Sequence, residues 1–408
     1  MELTIERILP GGLGLGYAEG RTVLVALAAP GDRLRVRIDR VKGNVSFASI
    51  EEIIEPSPQR VEPPCPYFGL CGGCDFQQLT YQAQLDAKVE IIKDCLRRLG
   101  GIENAPDVAL TAAPNPWHYR ARAQWQYDAI RQRLGYFESG SRRVCDVAEC
   151  AVLAPELQQT LETLRARMRD GLLPDNARDF RAAIGDDNEV SIAPRVGSPT
   201  VREGRPSTGN PHDVADISRT IHGETYRLNA ESFFQANAAL LPQLIEDALG
   251  DASGETAIDL YCGVGLFTVP LARRFKQVVG VEGDSVAADF ARENLAHAGI
   301  LNAEIANRDV AGWLERESAL AGELDFLLLD PPRTGAESRV IIGILKLQPK
   351  RISYVSCDPA TLARDLKKLI AGGYRLDTVS AFDMFPQTHH VETVVHLTAS
   401  GEALPPAL

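Results

Sequence analysis

The sequence predicts a doubly wound α/β sheet carried behind a small all-β module. Three observations predict it. From about residue 221 strand-like and helix-like segments alternate, as in an open sheet with helices on both faces. A strand over 257–261 runs into the glycine turn Cys262-Gly263-Val264-Gly265, and the next strand ends on an acid, Glu282. Over residues 1–57, by contrast, glycines punctuate short stretches of alternating polarity.

Composition bounds the rest. At 408 residues there is room for two or three domains. Hydrophobic residues at 45% and charged residues at 24% suit a soluble globular chain. No apolar run approaches the roughly 18 residues of a membrane span. The start, Met1-Glu2-Leu3-Thr4-Ile5, has no signal pattern. A cytoplasmic protein is therefore expected. Its eight cysteines then read as metal ligands or catalytic groups rather than disulfides. The net charge of −12 speaks against general affinity for nucleic acid, so basic residues matter only where they cluster.

In the first module, Arg21 to Leu27 forms a strand and Pro30-Gly31-Asp32 a turn. Arg33 to Ile38 then alternates strictly, with Leu34, Val36 and Ile38 on one face and Arg33, Arg35 and Arg37 on the other. Three arginines on one β face are a candidate phosphate contact. Pro10 to Gly16 and Ala29-Pro30-Gly31-Asp32-Arg33 make this segment resemble the TRAM domain, a small OB-like RNA-binding barrel.

Residues 51–64, rich in Pro and Glu, read as a linker. Cys65, Cys71 and Cys74 follow within ten residues, with Gly72-Gly73 between the last two. Such spacing lets the backbone fold around a zinc ion or an iron–sulfur cluster, both of which take thiolates. Cys95, Cys145 and Cys150 are candidates for a fourth ligand. A helix is expected over 86–99, with Cys95 in its core stripe. Residues 117–127 and 131–137 read as a hairpin of basic and aromatic residues. Arg120, Arg122, Trp125 and Arg133 are its candidate RNA contacts. A helix over 156–169 and an irregular, mobile loop over 197–211 close this part.

In the α/β part, further strands are expected over 277–282, 323–330, 352–356, 375–381 and 392–398. Ligands of such sheets sit at the C-terminal strand ends, so Tyr261, Glu282, Asp330 and Cys357 should face one crevice. The acid at Glu282 suits a ribose diol. Thr268 stands where a pyrophosphate-binding turn would carry its third glycine, which favours S-adenosylmethionine over NAD. Cys357 lies between a strand and a helix that Asp358 can cap and Pro359 can open. The helix dipole is expected to lower the thiol's pKa.

Taken together, Cys65-x5-Cys71-Gly-Gly-Cys74, Asp259-Leu-Tyr-Cys-Gly263, Asp330-Pro-Pro-Arg-Thr-Gly335, Ser356-Cys-Asp-Pro-Ala-Thr-Leu-Ala-Arg364 and Asp383 to Glu392 closely resemble the RNA uridine C5-methyltransferases, along nearly the whole chain. The resemblance implies a Rossmann-like, seven-stranded class I methyltransferase domain over 221–408. Ahead of it come a TRAM barrel over 1–57 and an α+β iron–sulfur domain over 58–220. It implies Cys357 as nucleophile and Glu392 as general base, with His389 and His390 as nearby rivals for the latter role. It implies S-adenosylmethionine held by Gln235, Tyr261, Gly263, Glu282 and Asp330, with Asp309 at the place of a polar adenine contact. It implies a [4Fe–4S] cluster on Cys65, Cys71, Cys74 and Cys150, the last preferred over Cys145 because Glu149 to Glu156 matches the family segment. Leu266 replaces a polar Asn found in several members, which removes one cofactor contact.

Members with both barrel and cluster are mostly directed to rRNA, so 23S rRNA is the expected substrate and the protein a monomer. A tRNA methyltransferase is one alternative reading. An amino-group methyltransferase is another, although it gives Cys357 no task, and a non-catalytic RNA-binding or ribosome-assembly factor is a third. The chemistry explains the residue set. Uracil C5 is a poor nucleophile until a thiolate adds at C6, and a base must then take the C5 proton.

Overall fold

The computed structural model describes residues 1–196, 214–317 and 323–400. The loop expected over 197–211 lies outside the described residues. Strands β1 (Glu2–Ile8), β2 (Gly14–Ala18), β3 (Arg21–Val25), β4 (Arg33–Lys42) and β5 (Val45–Glu55) close into a barrel. Its core is Leu3, Ile5, Val23, Val25, Leu34 and Val36, the inward half of each alternating strand. β5 runs on to Glu55, so the expected linker is strand for its first five residues. The arginine face of β4 is not a free basic patch. Arg33 and Arg35 pair with Glu2 at 3.3 and 3.0 Å, Arg35 pairs also with Glu52, and Arg37 pairs with Asp39 at 3.3 Å. Exposed acids from β1, β4 and β5 thus share the face offered as a phosphate contact.

Helix α1 (Tyr81–Arg98) starts five residues earlier than its apolar period suggests, because the Thr80 side chain caps it by accepting from Ala83 N. It buries Ile91, Ile92, Cys95 and Leu96 in the core of the large sheet, not in a separate central core. Strand β6 (Val108–Thr111) likewise leaves the central segment and pairs with a strand of that sheet. Strands β7 (Arg122–Asp128), β8 (Arg133–Phe137) and β9 (Val144–Asp146), helix α2 (Pro155–Arg169), and strands β10 (Ala177–Ile184) and β11 (Val190–Val196) form the central body. Its sheet has the order β11-β10-β7-β8-β9. Trp125, Leu134, Leu157, Leu161 and Phe180 fill its core. Each such side chain contributes about 1.5–3 kcal/mol of burial.

The α/β part opens with a hairpin, β12 (Ile217–Ile221) and β13 (Glu224–Leu228), so its first strand precedes residue 221. Then follow α3 (Leu241–Leu249), β14 (Gly254–Leu260), α4 (Thr268–Ala272), β15 (Phe275–Glu282), α5 (Ser285–His297), β16 (Ala303–Asn307) and α6 (Val310–Glu317). The rest comprises β17 (Phe326–Leu329), α7 (Ser338–Leu347), β18 (Arg351–Ser356), α8 (Pro359–Ala371), β19 (Tyr374–Phe382) and β20 (Glu392–Ala399). The sheet order is β16-β15-β14-β17-β18-β20-β19-β6. Seven of its strands come from the α/β part, and β6 adds an eighth at the edge. β20 runs antiparallel between β18 and β19. Among the described residues no helix is long and apolar enough to cross a membrane.

Candidate active site

The crevice is built at the C-terminal ends of β14, β15, β17 and β18. After β14 the chain turns sharply. Tyr261 takes φ 64°, a left-handed conformation costly for a residue with a side chain. Gly263 and Gly265 follow at φ 55° and 89°, where glycine avoids that cost. The turn is held from the next strand: Gly263 N donates to Glu282 Oε2 at 2.9 Å, and Asp284 N donates to Oε1 at 2.7 Å. Asp259, one strand residue inside, is fully buried and accepts from Thr268 Oγ1 at 2.5 Å. Thr268, read from sequence only as a missing glycine, thus anchors the strand. Burial, with the charges of Asp330 and Glu282, pushes the Asp259 carboxyl up to about 8.

Asp330 follows β17 and its N–H donates to Leu260 O at 3.3 Å, which sets it beside Tyr261. Burial raises its pKa to about 7. Asp309 sits on the surface beyond β16, and its Oδ2 accepts from Gly312 N at 2.9 Å in the first turn of α6. Gln235 is buried on the stretch where Ala236 O accepts from Ala121 N at 2.8 Å. Its Oε1 has no protein partner, nor has Asp259 Oδ1.

Cys357 directly follows β18, and Asp358 caps α8 as expected, accepting from Ala360 N and Thr361 N at 3.0 and 2.8 Å. The net shift of the thiol is upward, however. Burial, then the neighbouring Glu392, pushes it up to about 12, and only Arg333 opposes them. This corrects the lowered pKa expected from the helix dipole. Glu392 opens β20, is buried, and is raised well above the usual carboxylate range by burial and by Asp330. His390 is pushed down to about 3 by burial and by His389, so its ring is neutral.

Cys65, Cys71, Cys74 and Cys150 line one cavity together with Tyr67, Phe68, Arg120 and Tyr136, and Cys145 is not among the lining residues. Burial raises Cys71 to about 11 and Cys74 to about 12, with neighbouring thiols adding to both. Among the described residues no group of three or more His, Cys, Asp or Glu side chains is arranged to hold a single metal ion.

The hairpin candidates divide. Trp125 is fully buried and cannot stack on a base, so its aromatic signal was one of core packing. Arg120 is half-buried against the cysteine cavity. Arg122 is half-buried, and its Nη1 lacks a partner. Arg133 is exposed. Sequence reasoning missed Arg333, Asp75 and Lys88. Lys88 and Asp383 form an ion pair with no solvent exposure, and Tyr81 OH donates to the same carboxylate at 2.8 Å. A lysine among Gln84, Ile91, Ile92 and Cys95 on one helical stripe was the available signal.

A glycine turn held by a strand-end carboxylate, with a thiol and buried carboxyls across the crevice, defines a Rossmann-like transferase class that binds a nucleoside cofactor. A family model for tRNA (uracil-5-)-methyltransferases matches residues 216–400, and one for the TRAM domain matches residues 1–50. The 23S rRNA (uracil(1939)-C(5))-methyltransferase RlmD of Alkalilimnicola ehrlichii is 33% identical over 96% of this chain and 95% of its own. That of Pectobacterium atrosepticum is 34% identical over 97% and 92%. The crystal structure of the Pyrococcus abyssi tRNA (uracil-54, C5)-methyltransferase with S-adenosyl-L-homocysteine superposes with a TM-score of 0.74. It is 25% identical and covers 98% of this chain and 100% of that one. The chain belongs to the RNA uracil-C5 methyltransferase family, whose cofactor is S-adenosylmethionine.

Proposed function

We propose that this protein methylates C5 of a uridine in 23S rRNA, with Cys357 as nucleophile and Glu392 as general base. One observation carries the assignment of roles: the thiol and the buried carboxyl adjoin each other at one strand end, with Arg333 acting on both. When bound, S-adenosylmethionine supplies a methyl group activated on a sulfonium. Tyr261, Gly263, Glu282, Asp309, Asp330 and Gln235 are the residues that would hold it, and the partnerless Gln235 Oε1 supports that fit.

Cys357 sulfur adds to C6 as the thiolate, and the C5=C6 pair moves onto the enolate, with C5 its carbon terminus. C5 would take the methyl group as its bond to the sulfonium breaks, that pair staying on the departing neutral thioether. Glu392 then accepts the C5 proton, that bonding pair restores C5=C6, and the C6–S bond breaks with its electrons on sulfur. Both carboxyl and thiol are raised before substrate arrives, so the resting site favours the protonated form of each. A uridine inside folded RNA must be extruded to reach the half-buried Cys357 and the buried Glu392.

The three segments 1–57, 58–220 and 221–408 would then serve as RNA clamp, cluster holder and catalytic unit in a cytoplasmic monomer. We assign a [4Fe–4S] cluster to Cys65, Cys71, Cys74 and Cys150. The four thiols lining one cavity support this assignment. Cys150→Ser should lower iron per chain while Cys145→Ser retains it; equal iron in both would remove Cys150 from the set.

The deciding experiment maps 5-methyluridine in rRNA and tRNA from a strain lacking this gene. Loss of one 23S rRNA site is expected. Loss in tRNA alone would replace the substrate assignment, and no loss in either would favour a non-catalytic RNA-binding role.

A further inference from the structure

The residue after the third cysteine of the motif reaches across to the catalytic strand. Asp75 Oδ1 accepts the N–H of His389 at 2.8 Å, and Oδ2 is hydrogen-bonded to His389 Nδ1. In return Gln387 O accepts from Asp75 N at 3.1 Å and from Phe76 N at 3.0 Å. Gln387 is buried and held again by Gln84, whose Nε2 donates to Gln387 Oε1 at 3.0 Å and whose Oε1 accepts from Gln387 N at 2.9 Å. The His389 ring lies against His390, their centroids 4.1 Å apart. Two residues further on, this segment delivers Glu392.

The barrel touches the same point. Gly12 sits at φ 79°, and a Cβ built on it would lie 3.0 Å from Asp75 Oδ2 and 3.2 Å from His389 Cβ. The turn closes tightly over the carboxylate, so that a side chain here would press on Asp75 and His389. Barrel, cysteine loop and catalytic strand therefore meet on one Asp–His contact.

We propose that Asp75 is a positioning residue for the last chemical step: its bidentate grip on His389 fixes segment 387–391 and so sets where Glu392 meets the C5 proton. The inference rests on Glu392 being the base. A carboxylate is required because both contacts use acceptors, and an amide offers only one. The step exposed to misplacement is elimination. Glu392 takes the C5 proton, the pair closes C5=C6, and Cys357 leaves with the C–S electrons. Addition of the thiolate and methyl transfer do not use Glu392 as base, so a displaced carboxyl stalls the reaction at the methylated covalent adduct. A shift of about 1 Å in a reacting group costs about a hundredfold.

The test follows the adduct. Full-length protein, S-adenosylmethionine and a uridine-containing rRNA fragment are mixed, and the SDS-stable protein–RNA species is measured with time. Glu392→Gln is the control and should accumulate it. Asp75→Ala should also accumulate it, with turnover down about tenfold to a hundredfold. Asp75→Asn, which keeps one acceptor, should fall between Asp75→Ala and the parent. Gly12→Ala leaves Asp75 in place, crowds its grip, and should show the same adduct; it decides the matter if Asp75→Ala is insoluble or loses iron. Slower turnover without adduct in both Asp75→Ala and Gly12→Ala, beside adduct in Glu392→Gln, would overturn the positioning role. Absence of adduct in Glu392→Gln itself would overturn the base assignment, and the inference with it.

Discussion

Cys357 and Glu392 stand opposite each other one residue beyond the last ladder pair of β18 and β20, Ser356 with Thr393. Opposite residues of an antiparallel pair project to the same face. The sheet register thus places the thiol and the carboxyl together. Cys357→Ala should abolish turnover while cofactor binding, read by calorimetry, persists. Glu392→Gln should lower turnover by about 10²–10⁴-fold, the usual worth of a positioned base. Steady-state methyl incorporation checks both. Residual activity in Cys357→Ala would exclude the covalent route.

The raised thiol makes a second expectation. With a pKa near 12 the Cys357 thiolate is scarce at neutral pH, although the residue is partly accessible. Alkylation of the Cys357 peptide by iodoacetamide, followed by mass spectrometry in the RNA-free protein, should keep rising beyond pH 9. A plateau below pH 8 would show an activated resting thiolate instead.

Much of this site was legible because its elements are local. Strand-end acids, a glycine turn and a capped helix are written in consecutive residues, and Glu282, Asp330 and Cys357 all fall at strand ends. What was not legible is tertiary. The dipole argument for Cys357 used only α8, whereas the thiol is raised first by tertiary burial and then by Glu392 of β20, a different stretch of chain. β6 is four residues long, too short to show a period, and its partner β19 lies far downstream. Trp125 was misread although Ala123, Trp125 and Tyr127 alternate onto one buried face; the intervening basic residues drew the interpretation towards RNA.

Lys88 and Asp383 tie α1 to the segment ahead of Glu392, since Lys88 Nζ also donates to Phe385 O at 3.0 Å. Removing one partner leaves a buried charge unpaired, at a cost of about 3–5 kcal/mol. Lys88→Met should therefore lower the denaturant midpoint strongly. Lys88→Met with Asp383→Asn should recover part of the loss, and Tyr81→Phe should cost about 1 kcal/mol. Equilibrium urea unfolding of the parent, Lys88→Met, Asp383→Asn and the double variant measures the coupling. Additive losses would mean that the pair does not act as a unit.

The buried carboxyls also set a pH dependence of stability. Asp259 is raised to about 8 and Asp330 to about 7, both chiefly by burial, against about 3.9 in an unfolded chain. Between these values the folded protein binds more protons than the unfolded one. Stability must then be highest below about pH 4 as far as these two groups are concerned, and must fall as pH rises towards 8. In the cofactor-free protein the urea midpoint should decline from pH 5 to pH 8. Asp330→Asn, which cannot ionise, should show a shallower decline over pH 5 to 7 and little change in slope above it, where Asp259 still titrates. Identical slopes in the two proteins would mean that Asp330 is ionised in the resting crevice and is not raised by its burial.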